Sequence, residues 1–88
     1  MKIIAVKFET TAYKDSARFK VPEAALGVLG LANHQRVGLV ITEPNGRELY
    51  SGNQQMESGC EVYGEDMRRS IQPGQAIIVE VSSPQVSG

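Results

Sequence analysis

Arg18-Phe19-Lys20-Val21-Pro22-Glu23-Ala24-Ala25-Leu26-Gly27-Val28-Leu29-Gly30-Leu31 reads, in fourteen residues, as a strand, a proline-started helix and a glycine stop. Phe19 and Val21 alternate with Arg18 and Lys20, the period-2 pattern of a half-buried strand. Pro22 suits the first helical turn, where a missing N–H costs nothing and its fixed φ is already helical. Glu23 follows where the helix dipole favours a negative charge. Ala24, Val28 and Leu31 stand at i, i+4 and i+7, with Ala25 and Leu29 beside them, so one face is apolar. Gly30 can take the left-handed conformation that ends helices. Gly27, in the middle, costs up to about 1 kcal/mol relative to Ala. The helix is expected over about 22–30, and at that length it holds only through tertiary packing.

Working outward, the polar turn Asn33-His34-Gln35-Arg36 leads into an apolar strand, Val37 to Thr42. Glu43-Pro44-Asn45-Gly46 is a turn, because Pro presets φ and Asn-Gly supplies positive φ. Arg47 to Tyr50 returns as the hairpin partner. Gly52-Asn53-Gln54-Gln55 is either a further turn or a bulge in a longer strand. Upstream, Met1 to Glu9 carries Ile3, Val6 and Phe8 as a strand that could form a hairpin with the Arg18 strand. Downstream, Gly59-Cys60-Glu61-Val62-Tyr63 echoes Gly46-Arg47-Glu48-Leu49-Tyr50 and reads as another strand edge. Glu65 to Ser70 is one helical turn or a loop, and Pro73-Gly74 is a strong turn signal. Ala76 to Ser82 is a final strand, apolar enough to be central. About six short strands and one short helix make a mainly β fold, a small six-stranded barrel or pseudobarrel. Residues 1–84 form one β-rich domain, with 85–88 a frayed polar tail.

The opening stretch resembles the swapped-hairpin transcription-factor family of AbrB, SpoVT and MazE-like domains. Those carry an Arg, two residues, an Ile-Pro or Val-Pro pair, six residues, then Leu-Gly-Ile or Leu-Gly-Leu. Here Arg18, Val21-Pro22 and Leu29-Gly30-Leu31 fall at that spacing, and the resemblance covers residues 17–50. It implies a strand–short helix–strand unit, a homodimer and contact with DNA. Two departures weaken the last point. The family often has basic residues just after the proline, where this chain has Glu23, Ala24, Ala25, Leu26 and Gly27. The usual Gly-Asp turn is here His34-Gln35. B3-like pseudobarrel domains share similar pieces.

Eighty-eight residues with five aromatic side chains and no Trp leave Val, Ile and Leu to fill a core near the lower size limit for unaided folding. Domains of this size often gain stability by oligomerising, so a homodimer or higher homo-oligomer is expected. The single Cys60 excludes an internal disulfide and fits a reducing cytoplasm. Residues 1–10 lack a secretory signal pattern. No run approaches the roughly 20 apolar residues of a membrane span.

The net charge is −1 but its distribution is uneven. Residues 1–36 hold six basic side chains against three acidic, a balance of +3; residues 43–66 hold one against six, −5. Arg18 and Lys20 share one strand face opposite Phe19 and Val21. With Lys14, Lys7 and Arg36 behind them, they are the candidate residues for contact with double-stranded DNA, doubled in a two-fold dimer.

Catalytic chemistry has little footing. One His and one Cys cannot make a four-ligand zinc site. Glu61, Glu65 and Asp66 lack the order of a calcium loop. Ser58-Gly59-Cys60 is not a nucleophile elbow, and no glycine-rich loop with Lys-Ser or Lys-Thr cradles phosphate. No enzyme, metal or cofactor is therefore expected. A protein-interaction module is the other class, since short strands leave edges that can pair with another chain.

Overall fold

A computed structural model of the chain describes residues 5–14, 18–32, 34–57, 60–62, 67 and 69–84. The strands are β1 (Ala5–Thr11), β2 (Phe19–Lys20), β3 (Arg36–Thr42), β4 (Glu48–Gln55), β5 (Glu61–Val62) and β6 (Ala76–Ser82), with one helix, α1 (Glu23–Leu29). Four strands form an antiparallel sheet in the order β1-β6-β3-β4. The short strands β2 and β5 form a second antiparallel pair.

The alternating sequence of β6 explains its place at the centre of the sheet. Ile77, Val79 and Val81 are buried, and the register sets them beside Leu39 and Ile41 of β3 on one side and Val6, Phe8 and Thr10 of β1 on the other. This inner face carries the core. Phe19, Val21, Ala25, Leu26, Met56, Val62, Met67 and Ile71 complete the same buried cluster. Phe8 meets Phe19 with ring centroids 6.4 Å apart, which places β2 over the inner face.

The expected number of strands is present, and the barrel is open. Among the described residues the two sheets are linked by a single bridge, Met56 to Val62. The expected hairpin between the first two strands does not form: β1 pairs with β6, and β2 pairs with β5. Seven paired positions with matching apolar alternation outweigh the shorter loop that a β1–β2 hairpin would need. The ladder continues past the strand ends, where the Ala12 N–H donates to the Gln75 carbonyl and the Gly74 N–H to the carbonyl of Tyr13.

The Gly52 segment is neither a turn nor a bulge. Strand β4 runs through it to Gln55, and the register irregularity lies instead between Ile41 and Thr42. Gly52 leaves room for the Tyr50 side chain, whose hydroxyl would sit 2.8 Å from a β-carbon there. Tyr50 reaches across to accept a 2.6 Å hydrogen bond from Gln54 Nε2.

Helix α1 ends as its sequence prescribes. Gly30 is left-handed (φ 69°), its N–H donates to the Gly27 carbonyl, and the Leu31 N–H donates to the Leu26 carbonyl. These are the paired bonds of a Schellman stop. Pro22 stands one residue earlier than expected, as the extended N-cap, its carbonyl accepting from the Ala25 and Leu26 N–H groups. The helix is rotated from the expected orientation. Ala25 and Leu26 are buried and Leu29 half-buried, whereas Ala24 and Val28, two members of the i, i+4, i+7 stripe, are exposed. The cause is that α1 is apolar on both sides, so periodicity finds a stripe without telling which one faces inward. Val21, fully buried just before the Pro22 turn, sets the phase.

Of the helical turn expected at 65–70, Met67 is fully buried and its carbonyl accepts from the Ser70 and Ile71 N–H groups. Glu65, Asp66 and Arg68 of that turn, the start of the first strand and the tail at 85–88 lie outside the described residues. Among the described residues no helix is long and apolar enough to cross a membrane.

Candidate nucleic-acid interface

The second strand projects its charges because Phe19 is locked into the core. Phe19 is fully buried, so its neighbours Arg18 and Lys20 fall on the opposite, exposed side. The Tyr13 N–H donates to the Arg18 carbonyl at 2.9 Å, closing the loop that contains Lys14, itself exposed. Strand β5 supplies the facing carboxylate. Glu61 is the cross-strand partner of Lys20. Its Oε2 accepts a 2.9 Å hydrogen bond from the Tyr13 hydroxyl, and its Oε1 lies 3.9 Å from Arg18 Nη1.

Arg18 and Lys20 thus stand beside Glu61 on the exposed side of the small sheet, and Lys14 is exposed in the connection between β1 and β2. The Arg18–Glu61 separation is at the outer limit of an ion pair and both groups are partly solvated, so the pair contributes about 0–1 kcal/mol at most. Its larger effect is orientational: Tyr13 and Arg18 tie the loop to β5 through one carboxylate.

Lys7 and Arg36 stand elsewhere. Lys7 lies on the outer face of the four-stranded sheet, away from Phe8, and approaches its cross-strand partner Glu80 at 3.9 Å. Arg36 begins β3 opposite Gln55 and shares that outer face. The register puts Lys7 level with Val40, so Arg36 is about 13 Å away along the sheet and about 10 Å across it. Of the five expected cations, Arg18 and Lys20 thus share one side of the small sheet, Lys14 lies in the connection before it, and Lys7 and Arg36 are two separate residues on the large sheet. Tyr13 was not among the expected site residues; its only sequence signal was an aromatic ring in a polar connection.

Among the described residues no three His, Cys, Asp or Glu side chains lie close enough to hold a metal. Cys60 is a buried free thiol on a left-handed backbone (φ 63°), its carbonyl accepting from the Val21 N–H. His34 is exposed in the turn before β3, also left-handed (φ 73°). Two shallow hollows, of about 270 Å³ beside Thr11, Pro44 and Ile78 and about 180 Å³ over Gly38 and Ser82, are lined by none of the five expected cations.

Comparison of the chain with protein-family models, with curated proteins and with solved structures returned no match.

Proposed function

We propose that this chain is a non-enzymatic, cytoplasmic module that contacts double-stranded DNA through the β2 unit, with Lys14, Arg18 and Lys20 as the contacting residues. The observation that carries the reading is the exposed side of β2, where Arg18 and Lys20 stand beside Glu61, with Lys14 exposed in the connection before the strand. Such contacts are made to phosphate; they position the protein and fade with salt. A chain of net charge −1 lacks the overall basic footprint of strong binders, so the expected affinity is micromolar at low salt and weaker at physiological salt.

The test is fluorescence anisotropy of a labelled mixed-sequence duplex at low and near-physiological salt. Wild-type protein should bind with a log–log salt slope of about −0.9 per phosphate contacted. Arg18→Ala with Lys20→Ala should weaken binding while circular dichroism stays unchanged. No binding at low salt, or an affinity indifferent to the double substitution, removes the assignment.

A second reading, a protein-interaction or homo-oligomeric module with no nucleic-acid role, is favoured by a different observation. The outward side of α1 is apolar and Val28 is 63% exposed.

A further inference from the structure

We infer that Asn45 is a site of spontaneous deamidation, with the backbone nitrogen of Gly46 as the nucleophile and water as the co-reactant. The inference goes beyond the DNA reading and depends on neither function proposed above.

The chemistry needs a side-chain amide, a following residue that leaves its nitrogen uncrowded, and access for water. The chain has three asparagines, and only Asn45 precedes a glycine, which has no side chain to shield its nitrogen. Asn45 and Gly46 are both exposed in the turn between β3 and β4. A β-carbon on Gly46 would meet nothing within 4 Å, so the surroundings are open as well. Asn53 lies instead within the β3–β4 ladder, opposite Gly38, and is followed by Gln54. Asn33 is followed by His34.

The step balances without an oxidant or reductant. The Gly46 nitrogen loses its proton and attacks Asn45 Cγ. The N–Cγ bond forms, the Cγ–Nδ2 bond breaks, and the side-chain nitrogen leaves as ammonia, taking up a proton. The product is a cyclic succinimide. Water then adds to either ring carbonyl. Opening at Cγ gives aspartate. Opening at the main-chain carbonyl of residue 45 gives isoaspartate, in which the backbone runs through the former side chain.

The turn controls both the rate and the outcome. The Gly46 N–H donates to the Glu43 carbonyl at 2.8 Å, which holds the proton that must leave. The reaction therefore runs through the opened turn. The Arg47 N–H donates to Asn45 Oδ1 at 2.9 Å. An aspartate keeps that acceptor and adds charge to it, so the hairpin survives. An isoaspartate lengthens the backbone between Glu43 and Arg47. It breaks the register in which the Glu43 N–H donates to the Arg47 carbonyl at 2.8 Å. The site thus divides the protein into an aspartyl form with an intact hairpin and an isoaspartyl form with a loosened one.

Peptide mapping by mass spectrometry, after the folded chain is held in mildly alkaline buffer, tests this directly. The Asn45 peptide should gain about 1 Da ahead of the peptides of Asn33 and Asn53. The rate should rise about tenfold per pH unit, because the deprotonated nitrogen is the nucleophile. It should rise again in guanidinium chloride, where the turn is open. Asn45→Ser keeps an oxygen acceptor for the Arg47 N–H, so it should fold as the wild type and show no conversion at that position. The separated isoaspartyl form should melt below the wild type, whereas Asn45→Asp should melt with it. An Asn45 that stays intact, or that converts no sooner than Asn33 and Asn53, overturns the inference. An isoaspartyl form that melts with the wild type overturns the consequence assigned to the turn.

Discussion

Adding one methyl group at two different glycines should move stability in opposite directions. At Gly38 a β-carbon would sit 2.8 Å from Ser82 Oγ and 3.0 Å from the Ser83 carbonyl oxygen. The hydroxyl can rotate away, but the backbone carbonyl cannot, so Gly38→Ala should destabilise by about 1–3 kcal/mol. At Gly27 the same atom meets open space within a helix, and Gly27→Ala should stabilise by up to about 1 kcal/mol. Urea titrations of both variants at dilute chain concentration check the pair through their midpoints at constant m. Glu61 offers a second residue-scale test. Glu61→Gln keeps the shape and removes the carboxylate of Lys20's cross-strand partner. Low-salt duplex affinity should rise by up to about fivefold, the equivalent of a unit charge at contact distance in water. An unchanged affinity would mean that the β2 side does not meet DNA.

At the scale of elements, what could be read in advance followed from local chemistry. Pro22 and Gly30 bracket α1 within one residue because caps depend on backbone rules that need no tertiary information. The strand at Ala76–Ser82 was legible as central because its apolar alternation was strong enough to demand neighbours on both sides. Pairing and rotation were not legible. The β1–β2 hairpin failed as an expectation because proximity in sequence is only a default, and the β1–β6 register satisfies more side chains. The inward face of α1 was misjudged because both faces are apolar. The site was legible as residue types only: Arg18 and Lys20 share a face, as strand alternation requires, whereas the separation of Lys7 and Arg36 depends on sheet order. Strand β4 provides the prediction at this scale. Tyr50→Phe removes the acceptor of the Gln54 amide and should cost about 1 kcal/mol, read as a lowered thermal midpoint.

For the whole molecule, the governing feature is a thin core shared between two small sheets. Phe19 joins them: it is fully buried, contacts Phe8 of the large sheet and belongs to the small one. Phe19→Ala should cost about 3–5 kcal/mol, a large part of the stability of a domain this size. Loss of the cooperative unfolding transition would be the observed outcome. The same substitution would release Arg18 and Lys20 from their fixed side, so the DNA contact proposed for them would be lost together with the fold.

The pairing of the first strand with the last has a mechanical consequence. Ala5 stands directly opposite Ser82, and from there β1 and β6 run side by side to Thr11 and Ala76. Handles attached at Ala5 and Ser82 would pull on adjacent positions at one end of a ladder, with the load perpendicular to the strands. The rungs would then open one after another, as a zipper does. Handles at Ala5 and Ala76 would instead pull along the strands and strain every rung together. The domain should therefore yield at low force in the first geometry and resist in the second, with the same sequence and the same equilibrium stability.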